Sequence, residues 1–240
     1  MNSAKEDLRD PSLRRVGIIS SISLSVVTLF TFAVAFMTPP LSGPLAAGQR
    51  ILYPYTNILE RFPRDYYWMY PALLMMLIFI GYLATIDQYA APGRKVFSRI
   101  ALIFGAMAAG ILFTDYFVQL TVIQPSLLNG ELEGIALLSQ YNPHGIFIAL
   151  EEAGYLLMAV AILFLAPVFA GRGKVKGALR WTAVLNFLLA IISLAVITAI
   201  YGISREYIFE IAIITLDFAS LFILGLLSAR LFAMRENYNN

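Results

Sequence analysis

Residues 143–170 read PHGIFIALEEAGYLLMAVAILFLAPVFA, 28 positions at which Glu151, Glu152 and His144 are the only acidic, basic or imidazole side chains. A helix rises 1.5 Å per residue, so about 20 apolar residues cross the roughly 30 Å hydrocarbon core of a bilayer. This stretch is longer than that, which predicts a tilted span or one that extends past the headgroups. It also carries two adjacent glutamates far from either end. A carboxylate at the centre of a membrane helix costs about 2.5–3.5 kcal/mol on insertion scales, so such residues point to function or to a specific partner.

Working outward, five more segments have the same character: Val16–Met37, Trp68–Ile86, Phe97–Ile123, Leu179–Tyr201 and Glu206–Phe232. The whole chain is 60% hydrophobic and 13% charged with a mean hydropathy of +0.76, whereas soluble domains carry about 25% charge. That balance excludes an ordinary soluble domain, a disordered chain and a nucleic-acid binder. The expected fold is an all-α integral membrane protein, a six-helix bundle in which residues 1–240 form one transmembrane domain. Pro39-Pro40 is expected to close the first span, Asn142-Pro143 to cap and open the fourth, and Gly171-Arg172-Gly173 to stop it. Ala33-Val34-Ala35 resembles a signal-peptide cleavage site, but the apolar run before it is about twenty residues, longer than the 7–15 of a signal core, and reads as a span.

Orientation follows from the basic residues. Of 17 Lys and Arg, 13 fall in the N-terminal tail, the loops after spans two and four, and the C-terminal end; Arg50, Arg61, Arg64 and Arg205 fall on the other side. The positive-inside rule therefore places both termini in the cytoplasm of a cell bounded by this plasma or inner membrane. The first outer loop is rich in Pro and Gly and then in aromatics (Tyr53, Tyr55, Phe62, Tyr66, Tyr67, Trp68, Tyr70), as an interfacial aromatic belt or a lid requires. In the second, residues 131–138 read as a short interfacial helix. Gly105, Ala106, Ala109 and Gly110, with Gly225 and Ala229, are small-residue seams that allow close helix approach.

Five acids sit inside spans: Asp115, Glu151, Glu152, Glu210 and Asp217. Counted from the outer span ends, Asp115 and the glutamate pair lie roughly 10–14 Å deep, Asp217 roughly 16 Å and Glu210 about 6 Å. No Lys or Arg lies at comparable depth within a span, so neutralisation is expected from a proton, a metal ion or a positively charged ligand. Tyr155 is within helical reach of the glutamate pair and Tyr116 adjoins Asp115. His144 marks the mouth of span four as a headgroup-level residue or a gate.

Familiar chemistries are absent. The chain has no cysteine and one histidine, which removes thiolate metal sites, iron–sulfur clusters, bis-histidine haem and any mechanism needing two histidines. Tyr155 stands where the membrane proteases that process prenylated proteins carry an arginine after their paired glutamates. There is no P-loop or dinucleotide fingerprint, and no cofactor is identified. Three readings follow. The first is a proton- or ion-coupled transporter that binds a cation or cationic amphiphile through Asp115, Glu151, Glu152, Glu210, Asp217, Tyr116, Tyr155 and His144. The second is a membrane enzyme acting on a lipid or isoprenoid with paired carboxyls. The third is a non-catalytic subunit whose acids meet a partner's basic residues, and that reading requires acids on the lipid face. The expected partners are the bilayer and a small ligand, with no nucleic acid, and self-association into a homo-oligomer is left open.

Overall fold

A computed structural model describes residues 11–38 and 51–234. Among them there is no strand, and six helices are long and apolar enough to cross a membrane. The long helices are α1 (Pro11–Phe36), α2 (Met69–Tyr89), α3 (Lys95–Val118), α6 (Ile146–Leu165), α7 (Lys174–Tyr201) and α8 (Tyr207–Ala233). Two short ones, α4 (Gln124–Leu128) and α5 (Ile135–Leu138), lie in the connection between α3 and α6. The residues expected at Pro39-Pro40, and Lys5, Arg9, Arg50 and Arg235 of the charge pattern, lie outside the described residues.

The six long helices form a ring in chain order, α1–α2–α3–α6–α7–α8 and back to α1, with α6 also touching α8 across the interior. The α3–α6 and α1–α8 contacts are the most extensive, and both depend on small residues. A Cβ on Gly154 of α6 would sit 2.6 Å from Leu112 Cγ of α3. A Cβ on Gly225 of α8 would sit 2.6 Å from the Ser21 carbonyl oxygen of α1. On α1 the buried stripe Gly17, Ser21, Leu24, Ser25, Thr28, Thr31 faces the bundle; Ser25 Oγ donates to the Phe222 carbonyl across the seam at 2.9 Å. Deeper in, Tyr82 and Ser228 share a buried hydrogen bond of 2.9 Å that ties α2 to α8. Only part of the expected α3 seam packs: Gly105 and Ala109 are buried, while Ala106 and Gly110 are exposed.

Helix ends differ from expectation where a proline or a tertiary contact intervenes. The third span runs on to Leu128 through a single π turn, Gln119–Ile123. Pro125 has no N–H to offer the Thr121 carbonyl, and widening the preceding turn relieves that clash. The fourth helix opens at Ile146, not at Pro143, because the Asn142 side chain is used within the loop. Its Nδ2 donates to the Ala136 carbonyl (2.7 Å) and its Oδ1 accepts the His144 N–H (3.0 Å). Gly145 precedes the helix with no room for a side chain, since a Cβ would lie 2.9 Å from the Leu137 carbonyl oxygen. The same helix stops at Leu165, ahead of Gly171–Gly173, because Pro167 cannot extend its hydrogen-bond ladder. The segment 131–138 is helical only over Ile135–Leu138.

Basic residues at the end that carries both termini have a second use. Three helices finish there, α2, α6 and α8, and a cation bonds carbonyls at or just past the end of each. Lys95 bonds the Asp87 carbonyl at the end of α2, and Arg94 bonds the Ala170 carbonyl just past α6. Arg14 Nε donates to the Phe232 carbonyl at the end of α8 (3.1 Å). A cation at a helix C-terminus satisfies orphan carbonyls and opposes the negative end of the helix dipole.

Candidate functional site

The opposite end of the bundle holds a cavity of about 440 Å³ between the end of α1, the starts of α6 and α8, and the two connecting loops. Its wall is mostly apolar, with Phe32, Trp68, Phe147, Tyr155, Tyr207 and Phe218 among its lining side chains. The polar lining includes Glu151 of α6 and Glu210 of α8, with Gln140 and Tyr141 from the second loop.

Glu151 is fully buried. Tyr116 of α3 donates its hydroxyl proton to Glu151 Oε1 at 2.8 Å, and Tyr155 Oη lies 2.8 Å from Tyr116 Oη. A phenol has one proton, so Tyr155 donates to Tyr116 and Tyr116 to Glu151, two O–H dipoles in series ending on one carboxyl oxygen. Glu151 Oε2 is buried without a protein donor, and so is Glu210 Oε2. The two carboxyls lie within hydrogen-bonding reach of each other. Two carboxyl groups can hydrogen-bond to one another only when at least one of them holds a proton. The close approach at Gly154 brings α3 near enough for Tyr116 to reach Glu151. Trp68 stacks edge-on to Tyr116 at 4.9 Å between ring centroids, and Tyr155 does the same to Phe218 at 5.9 Å.

The other expected site residues have other surroundings. Asp115 is buried on α3 behind Glu151, close enough to interact electrostatically with it, and its Oδ2 has no partner; it is not part of the cavity wall. Asp217 points away from the cavity into the α7–α8 contact, where Asn186 Nδ2 donates to its Oδ1 at 2.8 Å. Glu152 is paired with Arg205. The expectation that no cation reaches the intramembrane acids is therefore wrong for Glu152. Arg205 belongs to the turn before α8, and its long stem carries the guanidinium to the carboxylate, with the guanidinium carbon 5.4 Å from the centroid of the Phe209 ring. Glu206, with φ +43°, forms that turn's left-handed corner. His144 is exposed at the entrance to α6 and lines no part of the cavity.

Several contributors carried no local signal. Asp65, an ordinary loop acid by sequence, is fully buried and accepts the Tyr141 hydroxyl at 2.8 Å, joining the two outer loops above the cavity. Burial and the neighbouring Tyr66 and Asp65 push the Tyr141 phenol well above its ordinary pKa. Gln119 fastens the second loop to α3, donating to the Leu138 carbonyl (2.6 Å) and accepting the Gln140 N–H (3.2 Å). In the aromatic loop Tyr55, Tyr66 and Trp68 are buried while Tyr53 and Tyr67 are exposed, so part of it folds onto the bundle and part faces outward.

No protein family, characterised protein or solved structure matches this chain. It is a six-helix, multi-pass membrane protein by its own architecture. Four of the five span acids are buried, and Glu210 has its free carboxyl oxygen covered.

Proposed function

We propose that this protein binds an organic monocation in the outer-half cavity, with the Glu151–Glu210 pair as its counter-charge and the aromatic wall around it. The observation that carries the reading is Glu151. It is a fully buried carboxyl with one oxygen held by Tyr116 and the other without a protein donor, set in a cavity that also presents Glu210. Two carboxyls sharing one proton carry a single negative charge, which matches one ammonium group better than a divalent ion. Trp68, Phe147 and Tyr155 offer ring faces to such a cation. A second proton can neutralise the same single charge, so a bound amine leaves when that proton arrives; amine-for-proton replacement of this kind is the elementary step of proton-coupled exchange, and transport is the activity this site suits.

The test is thermal unfolding of the detergent-purified protein with a panel of alkylammonium ions. A ligand at about one hundred times its dissociation constant adds about 2.7 kcal/mol to stability. Wild type should be stabilised, Glu151→Gln should lose the response, and Asp217→Asn, which lies outside the cavity, should keep it. A Glu151→Gln protein that responds as strongly as wild type refutes the reading.

A further inference from the structure

The cavity does not open towards water alone. Its wall includes Phe32 and Phe36 on α1 and Ile211 and Thr215 on α8, and all four are exposed on the outer surface of the bundle, Phe36 by 82%. Phe36 ends α1 and Phe32 lies one turn before it, while Ile211 and Thr215 lie about one and two turns into α8, so by helical rise this opening spans roughly the last 12 Å of the two helices. The aqueous side is instead occupied by polar and aromatic side chains of the loops and helix starts, Gln140, Tyr141, Tyr207 and Trp68, which line the same cavity. Tyr207 donates to the Gln140 carbonyl at 3.3 Å, and Tyr141 is held by Asp65. The cavity thus has a hydrogen-bonded roof, an acidic interior and an apolar opening on the outer surface of the bundle between α1 and α8.

We infer that the ligand is a membrane-dissolved amphiphilic amine that enters sideways from the outer leaflet between α1 and α8. This rests on the cation-binding reading above and assigns the ligand its class and route. The ammonium head reaches the Glu151–Glu210 pair while the alkyl chain stays in the gap flanked by Phe36 and Ile211, in contact with lipid. A tail in that gap needs no further room in a cavity of about 440 Å³. A desolvated head finds the charge that water would otherwise have supplied. The Phe32–Phe218 edge-on pair, 5.9 Å between centroids, forms the sill of the opening and separates it from the tightly packed seam below.

The chain has no cysteine, so a single introduced thiol reports cleanly. Ala35→Cys places one at the opening, and Leu132→Cys places one on the exposed outer loop as a control. Protein in vesicles is labelled with two maleimides of equal intrinsic reactivity, one carrying a dodecyl chain and the other a sulfonate. The expected result is that Ala35→Cys is labelled by the dodecyl reagent and spared by the sulfonate, while Leu132→Cys takes the sulfonate. Dodecylamine should suppress labelling of Ala35→Cys, and adding Glu151→Gln or Glu210→Gln should abolish that protection. Labelling of Ala35→Cys by the sulfonate as fast as the loop control, or by neither reagent, overturns the lateral route. If the cavity reading is right in that event, dodecylamine still stabilises wild type and not Glu151→Gln. Selective dodecyl labelling with protection unchanged by both glutamine variants leaves an open cleft but overturns the amine as its ligand.

Discussion

Gly225→Ala asks whether the α1–α8 seam is as close as its geometry implies. The added methyl would lie 2.6 Å from the Ser21 carbonyl oxygen and 3.1 Å from the Ser25 nitrogen, and closer still to the Ser25 hydroxyl. Attractive contacts begin at about 3.5 Å. A hydroxyl can rotate away, but two backbone atoms cannot, so α1 must back off by several tenths of an ångström along the seam. Overpacking of this kind costs about 1–3 kcal/mol. Separation also weakens the Ser25–Phe222 carbonyl bond, for about 0.5–1.5 kcal/mol. Alanine's better helix propensity returns about 0.8–1 kcal/mol, which nearly cancels that loss. The net expectation is destabilisation of about 1–3 kcal/mol. Gly110→Ala is the matched control. Nothing lies within 4 Å of its added methyl, so only the propensity gain of about 0.8–1 kcal/mol remains. Reversible unfolding in mixed micelles should move the two variants in opposite directions. Shifts of the same sign and size would show that the seam does not set the packing distance.

Arg205→Ala leaves Glu152 buried without its partner and should destabilise by about 1–3 kcal/mol, less than a fully buried pair because the guanidinium is about one-third exposed. Arg205→Ala with Glu152→Ala should recover most of that loss, and a double-mutant cycle that finds the two changes additive would deny the pairing. Arg14→Ala removes the donor to the Phe232 carbonyl and should cost about 0.5–1.5 kcal/mol, read by hydrogen exchange as earlier opening of the last turn of α8. Tyr141→Phe strips the buried Asp65 carboxyl of its hydroxyl partner at an expected cost of about 1–3 kcal/mol, and limited proteolysis should then cut the 129–145 loop sooner.

The spans were legible because a run of about twenty apolar residues is a local property that needs no knowledge of neighbours. Their ends were less so. Pro167, Pro125 and Gly145 set the boundaries, and Gly145 does so through a close approach to Leu137, which sits in another element. The same division runs through the site. That Glu151 and Glu210 are acids within the spans could be read from depth along each helix. That they meet, and that Asp217 does not join them, depends on how α6, α7 and α8 are rotated about their axes. The pairing of Arg205 with Glu152 spans 53 positions of sequence and follows only once the turn before α8 is known to stand over α6. Gly154 was the missed clue: a glycine amid large apolar residues three positions after the first glutamate marks where another helix comes close, and Tyr116 arrives on that helix.

The α1–α8 contact gives the cavity its position. At the end bearing the termini Gly17 receives the Phe232 ring, and a Cβ there would fall 2.6 Å from it. In the middle Gly225 lets Ser21 and Ser25 approach backbone to backbone. At the far end the facing residues are Phe32 and Phe218, two rings 5.9 Å apart. Small residues draw the helices together and aromatic rings hold them apart, so a seam graded from one to the other is a wedge, closed at one end and open where Glu151 and Glu210 lie. A substitution that enlarges the closed end, such as Gly225→Ala, acts on the same two helices that frame the opening. Its effect on amine binding should therefore exceed that of an equally destabilising substitution at Gly105, where α3 meets Leu83 of α2 and neither residue lines the cavity.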